Sequence, residues 1–348
     1  MEREPMTHRI FIERLVIAIA VIGVALLLWN LRGLFLLIFG SVLVSVVLGI
    51  VARPFRERLG LSPPLALLAA VLILAAIIIG AFWLFGAEVA RQSEALGELI
   101  PGAWEAAQAR LDAWGLGQAA EEWASTLRAG GGAIANIGNL AVTIGNGLAD
   151  LLLVIFGGIY LAAQPDLYRT GLLKLVPARG RALAADALGA SGTALRLWLL
   201  GRMVSMGVVG ILTWIGLSII GVPSALSLGL LAALLEFVPF IGPIISAVPA
   251  ILLAFAGSPE QALWTALLFL AIQQFEGNVL EPLVQQRAVD LPPALLLFAL
   301  VAGGLIFGIV GLLLAAPLTV VLYVLVKRLY VQEALDTATP LPGRDKQG

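Results

Sequence analysis

The sequence predicts an all-α, polytopic helical membrane protein with about eight transmembrane helices, and three observations carry that reading. The stretches 33–52, 64–87, 203–235, 237–259 and 291–326 contain no Asp, Glu, Lys or Arg, whereas a spanning helix needs about 20 mainly apolar residues. Hydrophobic residues make up 60% of the chain and charged residues only 12%, far from the usual globular balance. The apolar runs are also continuous rather than alternating, which argues against a barrel, and open strands cannot cross hydrocarbon. Residues 1–348 therefore read as one integral membrane domain.

The first apolar run, 15–31, has no small-residue cleavage site before the next begins at Gly33, so it reads as a retained helix rather than a signal peptide. Spans follow at about 33–52, 64–87, 148–164 and 203–221. Two long tracts, 225–256 and 291–326, come last, separated by a shorter apolar segment at 261–275. Lys/Arg excess marks the cytoplasmic side. Arg3, Arg9 and Arg14 precede the first span, and Arg53, Arg56 and Arg58 follow the second. The segment 88–147 carries seven carboxylates against Arg91, Arg110 and Arg128, while 165–202 carries six basic residues against Asp166 and Asp186. Lys327 and Arg328 open the tail 327–348. One orientation satisfies all five: both termini and 165–202 cytoplasmic, 88–147 outside, and an even number of crossings.

Two large segments do not span. In 88–128, Trp104, Leu111 and Trp114 fall near one helical face, which suits an amphipathic helix on the outer interface or an extracellular lid or oligomer contact. Gly130-Gly131-Gly132 is a flexible break after it. Residues 166–197 read as amphipathic helices on the cytoplasmic surface.

The tract 225–256 is too long for one crossing and too short for two full ones. In its middle lies Glu236-Phe237-Val238-Pro239-Phe240-Ile241-Gly242-Pro243. Two prolines and a glycine there break the helical ladder, and such backbone survives at membrane depth only inside protein or along a wet cavity. The expectation is two half-helices or a re-entrant hairpin. Glu236 stands at the break, with the nearest other charges 24 and 34 residues away. A carboxylate in apolar surroundings must be protonated, paired or hydrated, so Glu236 is either a proton- or cation-binding group or a structural cap for amides freed by the break.

A second polar constellation, Gln273-Gln274-Phe275-Glu276-Gly277-Asn278-Val279-Leu280-Glu281-Pro282, continues through Arg287 and Asp290 to Pro292-Pro293. It reads either as an ordinary polar loop or as a cluster able to hydrate a polar solute or hold a monovalent cation. The last tract, 291–326, is again overlong and is interrupted by Gly303-Gly304, Gly308, Gly311 and Pro317. Gly304 and Gly308 form a small-xxx-small pair suited to close helix packing. Interrupted tracts of this kind are where transporters build their sites.

Absences narrow the function. No GxxxxGK[ST] loop, HExxH, GxSxG or TVGYG motif is present. There is no Cys and a single histidine, His8, so neither a metal site nor a cofactor is expected. The net charge of −1 disfavours a nucleic-acid partner. A gradient-driven solute pathway or a passive pore remains.

The run Glu236–Pro243, the run Gln274–Pro282, and Gly304-Leu-Ile-Phe-Gly-Ile-Val-Gly311 with Ala316-Pro317-Leu318 together resemble the autoinducer-2 exporter family of membrane permeases in order and spacing across about 225–326. The chain departs from that pattern at Gln286 and Asp290, where the family often carries glycine. The resemblance implies an eight-span transporter of the cell membrane with both ends cytoplasmic. It also implies export of a furanone signal or sodium/proton antiport. Carried over by position, the motif residues are Glu236, Pro239, Gly242, Pro243, Glu276, Asn278, Pro282 and Pro317, and Glu281 joins the same polar segment.

Three functions follow as expectations. The first is a non-ATP permease exporting a small polar solute, and the second a cation/proton antiporter in which Glu236 and Glu276 bind H⁺ and Na⁺ alternately. The third is a non-transporting membrane scaffold. Gly-rich faces and interfacial segments also favour a homo-oligomer within the lipid bilayer.

Overall fold

The computed structural model describes residues 5–80, 83, 137–285, 291–336 and 339, and all regular structure among them is helical. In chain order the helices are α1 (Pro5–Asn30), α2 (Arg32–Glu57), α3 (Pro63–Gly80), α4 (Ile137–Ala163), α5 (Pro165–Lys174) and α6 (Arg181–Ile220). Then come α7 (Ala225–Leu235), α8 (Ile241–Gly257), α9 (Pro259–Phe275), a π turn at Glu276–Leu280, α10 (Glu281–Gln285), α11 (Pro293–Val326) and a π turn at Lys327–Gln332. The segment 88–136 with Trp104, Trp114 and the Gly130–Gly132 run, the positions Gln286 and Asp290, and the tail beyond 339 lie outside the described residues.

Local chemistry sets the boundaries. α6 ends at Gly221, whose φ of 80° is the left-handed cap that glycine adopts without strain. α9 starts with Ser258 as N-cap, its Oγ accepting from the Gln261 amide at 3.1 Å, and with Pro259 in its first turn, where a missing N–H costs nothing.

Four stretches among the described residues are long and apolar enough to cross a membrane: Arg32–Glu57, Pro63–Gly80, Ala178–Ile220 and Pro293–Gln332. A fifth arises if α4 and α5, bent 91° at their junction, make one broken span. That tally does not confirm the expected eight. The tract 225–256 is one reason, because it is split into α7 and α8, of 11 and 17 residues. At 1.5 Å per residue these reach only about 17 and 26 Å, short of the roughly 30 Å core.

Outward faces are apolar in a way water would not tolerate: Ile219, Leu305 and Ile309 are each more than three-quarters exposed. Inward faces rely on small residues, since lipid provides no hydrophobic drive between helices. Gly157 and Gly158 of α4 sit against Ser41 and Val44 of α2. α6 and α7 run back to back so closely that a Cβ added at Gly229 would lie 2.8 Å from the Gly210 carbonyl oxygen.

Three expectations change. Residues 181–197 are not a surface helix separate from the span 203–221, because α6 runs unbroken through both. The charge that ends the apolar run in the sequence, Arg202, is buried within the helix. The segment 273–285 is not a loop either but a helical continuation of α9 through the π turn into α10. In α11, Pro317 is accommodated within the helix, and the interruption lies at Gly308, with φ 64° and ψ −148°.

Gly308 turns α11 back on itself. A Cβ added at Gly303 would lie 2.8 Å from the Gly311 carbonyl oxygen and 3.0 Å from the Ala315 Cβ. In a straight helix positions 303 and 311 would be about 12 Å apart along the axis. The two arms close on the other broken tract: Leu300 and Ala315 form one buried cluster with Val238, flanked by Phe237 and Ile241. The second arm, through Val320 and Val324, also packs on Ala190 and Ala194 of α6.

Candidate functional site

The break between α7 and α8 is short and tightly turned. Phe240 takes φ 64°, a conformation in which a bulky L residue is strained. Gly242 follows because nothing larger fits, since a Cβ there would run into the Leu235 carbonyl. Amides of the break find nearby carbonyls: Phe237 N–H donates to Leu234, Val238 to Leu235, and Gly242 to Val238. Pro239 is buried, and the Pro243 carbonyl accepts from Ser246 Oγ at 3.1 Å.

Glu236 therefore does not serve as a cap for freed amides. Its carboxylate turns to α6, where Arg202 Nη2 donates to Glu236 Oε1 at 2.7 Å. The same guanidinium donates from Nη1 to Glu276 Oε1 at 3.3 Å and from Nε to the Phe237 carbonyl at 3.4 Å. One arginine thus ties three elements together: the middle of α6, the break after α7 and the π turn after α9. It also satisfies a carbonyl released by the break. Arg202, Glu236 and Glu276 are 8%, 1% and 4% exposed. The planar fork of arginine suits such multiple donation, which a lysine could not reproduce.

Glu276 is aimed by the π turn, a device that shifts side-chain phase within a helix. Its second oxygen accepts from Gln273 Nε2 at 3.3 Å. Glu236 Oε2 is buried and accepts no hydrogen bond. With two carboxylates against one guanidinium, the ionised cluster would carry an excess negative charge out of contact with water. Such a group needs a proton or a cation, or it pays the full desolvation penalty. Trp198, one turn before Arg202, closes one side by an edge-on contact with Phe237, ring centroids 6.1 Å apart.

The structure joins Glu236 with Glu276 and leaves other sequence candidates apart. Half-buried Glu281 opens α10, directly after the π turn that carries Glu276. Asn278 is exposed, its Nδ2 donating to the Gln274 carbonyl and side chain at 2.8 and 3.0 Å. Pro282 is exposed as well. Gly304 and Gly308 have only Leu312 at 3.7 Å and open space, respectively, where a Cβ would stand, so the tight contact in α11 belongs to Gly303 and Gly311. Arg202 is the residue that sequence reasoning passed over. Its signal was present: a lone arginine abutting 33 uncharged residues, 203–235, where an unpaired charge would be costly.

Comparison with known proteins agrees with this architecture. Residues 15–330 match the family described as AI-2E family transporter. The chain is 32% identical over 170 residues to the inferred transport protein YrrI of Bacillus subtilis, covering 48% of this chain and 47% of that one. Against the inferred transport protein YhhT of Escherichia coli it is 32% identical over 190 residues, 54% and 50% of the two chains. Against the AI-2 transport protein TqsA of Escherichia coli it is 35% identical over 116 residues, 33% of each. The chain thus spans about half the length of the first two relatives and a third of TqsA.

Proposed function

The chain belongs to the AI-2E transporter family, and from that premise we propose that it is a cytoplasmic-membrane permease that exports a small polar solute, autoinducer-2-like, without ATP. Its family and its apolar helices make it a multi-pass membrane protein; transport by this chain, the membrane it occupies, the solute, the direction and the energy source are the proposed part. The observation that carries the reading is the Arg202–Glu236–Glu276 cluster beside the meeting point of two broken tracts. Polar groups buried where helices are interrupted are how secondary transporters bind solutes and couple ions. The similarity to TqsA, whose printed name is AI-2 transport protein, supports the solute class. The charge pattern of the connecting segments supports cytoplasmic termini.

The test is efflux and uptake of a panel of small polar solutes by the purified chain in proteoliposomes. Saturable flux of a furanone or similarly small polyol supports the proposal. Flux indistinguishable from empty vesicles across the panel removes it and favours a scaffold.

The unpartnered Glu236 Oε2 favours a second reading, a sodium/proton antiporter in which the cluster exchanges a proton for a cation. Sodium-dependent proton movement in inverted vesicles, abolished by Glu236→Gln, is its signature. A furanone exporter need not respond to sodium.

A further inference from the structure

A second feature shares no residue with the Arg202 cluster. The end of α2, the start of α3, the end of α4 and α6 enclose an open cleft of about 1220 Å³. Its lining on α2 runs from Ser45 to Glu57, about 18 Å at 1.5 Å per residue. Charge is concentrated where α2 ends, at Arg53, Arg56 and Glu57, and Arg196 enters from α6. The α3 and α4 walls are apolar: Leu67, Leu68, Val71 and Ile159. Gly49 and Gly192 line the cleft with open space where a Cβ would stand, so the backbone leaves the volume unfilled.

The charges are unbalanced. Arg53 pairs with Glu57 one turn on. Arg56 and half-buried Arg196 make no hydrogen bond or ion pair among the described residues. A half-buried arginine without an acceptor is unfavourable unless something supplies one, and arginine matches the phosphate group bidentately. An anionic head held by Arg56 and Arg196, with a hydrocarbon tail along Leu67 and Val71, satisfies both halves of the cleft. A free polar anion would leave the apolar wall wet.

We propose that this cleft is a binding site for an anionic phospholipid, its phosphate held by Arg56 and Arg196 and one acyl chain lying between α2, α3 and α4. The site is independent of the transported solute. Basic pockets between spanning helices at a membrane face are suited to such headgroups.

Native mass spectrometry of the purified full chain tests this by titration with phosphatidylglycerol, phosphatidylcholine of the same acyl chains, and glycerol 3-phosphate. Phosphatidylglycerol is expected to bind at least tenfold tighter than phosphatidylcholine, the preference falling about fivefold for each of Arg56→Gln and Arg196→Gln, given roughly 1 kcal/mol per basic residue. Arg58→Gln, outside the cleft, should leave it unchanged. Gly192→Trp, which fills the cleft without altering charge, should block binding and remains informative if an arginine variant misfolds. Equal binding of the two lipids, equal loss with Arg58→Gln, or full competition by glycerol 3-phosphate would each overturn the proposal, the last in favour of a soluble anion.

Discussion

Arg202 and Glu236 stand 34 residues apart in the chain, and the structure places Arg202 Nη2 2.7 Å from Glu236 Oε1 with both side chains buried. The pair converts an isolated carboxylate at a proline-broken point into one corner of a three-residue cluster. Because Arg202 also reaches Glu276 and the Phe237 carbonyl, it holds the break in place as well as neutralising charge.

Arg202→Leu is expected to lower stability by about 3–5 kcal/mol, because it strands two buried carboxylates. Thermal unfolding in detergent measures this. Combining Arg202→Leu with Glu236→Leu and Glu276→Leu should recover most of the loss, since well-packed apolar replacements of buried ion clusters are often neutral. Transport should stay absent in the triple variant. A triple variant that transports normally would reduce the cluster to a structural strut.

Positions in α11 should separate sharply. Gly308→Ala forces φ 64° and ψ −148°, backbone that essentially only glycine adopts, on a residue with a Cβ and should cost about 1–3 kcal/mol. Gly311→Ala should cost more, because a Cβ there collides with the Gly303 carbonyl and Phe307. Gly304→Ala, with its nearest neighbour at 3.7 Å, should be close to neutral. Equal melting temperatures for the three would contradict the fold-back of α11.

Gly242→Ala would push a methyl group into the Leu235 carbonyl and displace the turn that presents Glu236. Transport should fall well before folding does. The comparison is initial flux against the monodisperse fraction on size exclusion, and an unchanged flux would show that the turn tolerates movement.

Asn278→Ala should leave flux within about twofold of the parent, because Asn278 is exposed and bonded to Gln274 rather than to the cluster. Removing that i,i+4 contact is worth about 0.2–0.5 kcal/mol. A large transport defect would place a solute contact on the outer face of the π turn instead.

Membrane class and the breaks in 225–256 and 291–326 were legible in the chain, and Glu236 and Glu276 stood out there as charges beside uncharged runs. Long uncharged runs, prolines and glycines are local signals that need no partner to be read. Arg202 was not legible as a partner, since a charge bordering an apolar run looks like the end of a span, and only its two carboxylates make its burial within α6 tolerable. The polar segment from Gln273 left two readings open, loop or polar cluster, and only the fold sets the loop aside over 273–285, where the π turn directs Glu276 inward and Asn278 outward.

The sequence by itself determined the solvent of this protein, because hydrocarbon demands uncharged helices wherever they occur. Which charges meet was decided only by tertiary structure. A buried charge is stable only against its counter-charges, and those come from the break after α7 and the π turn after α9, which reach α6 only once the chain has folded.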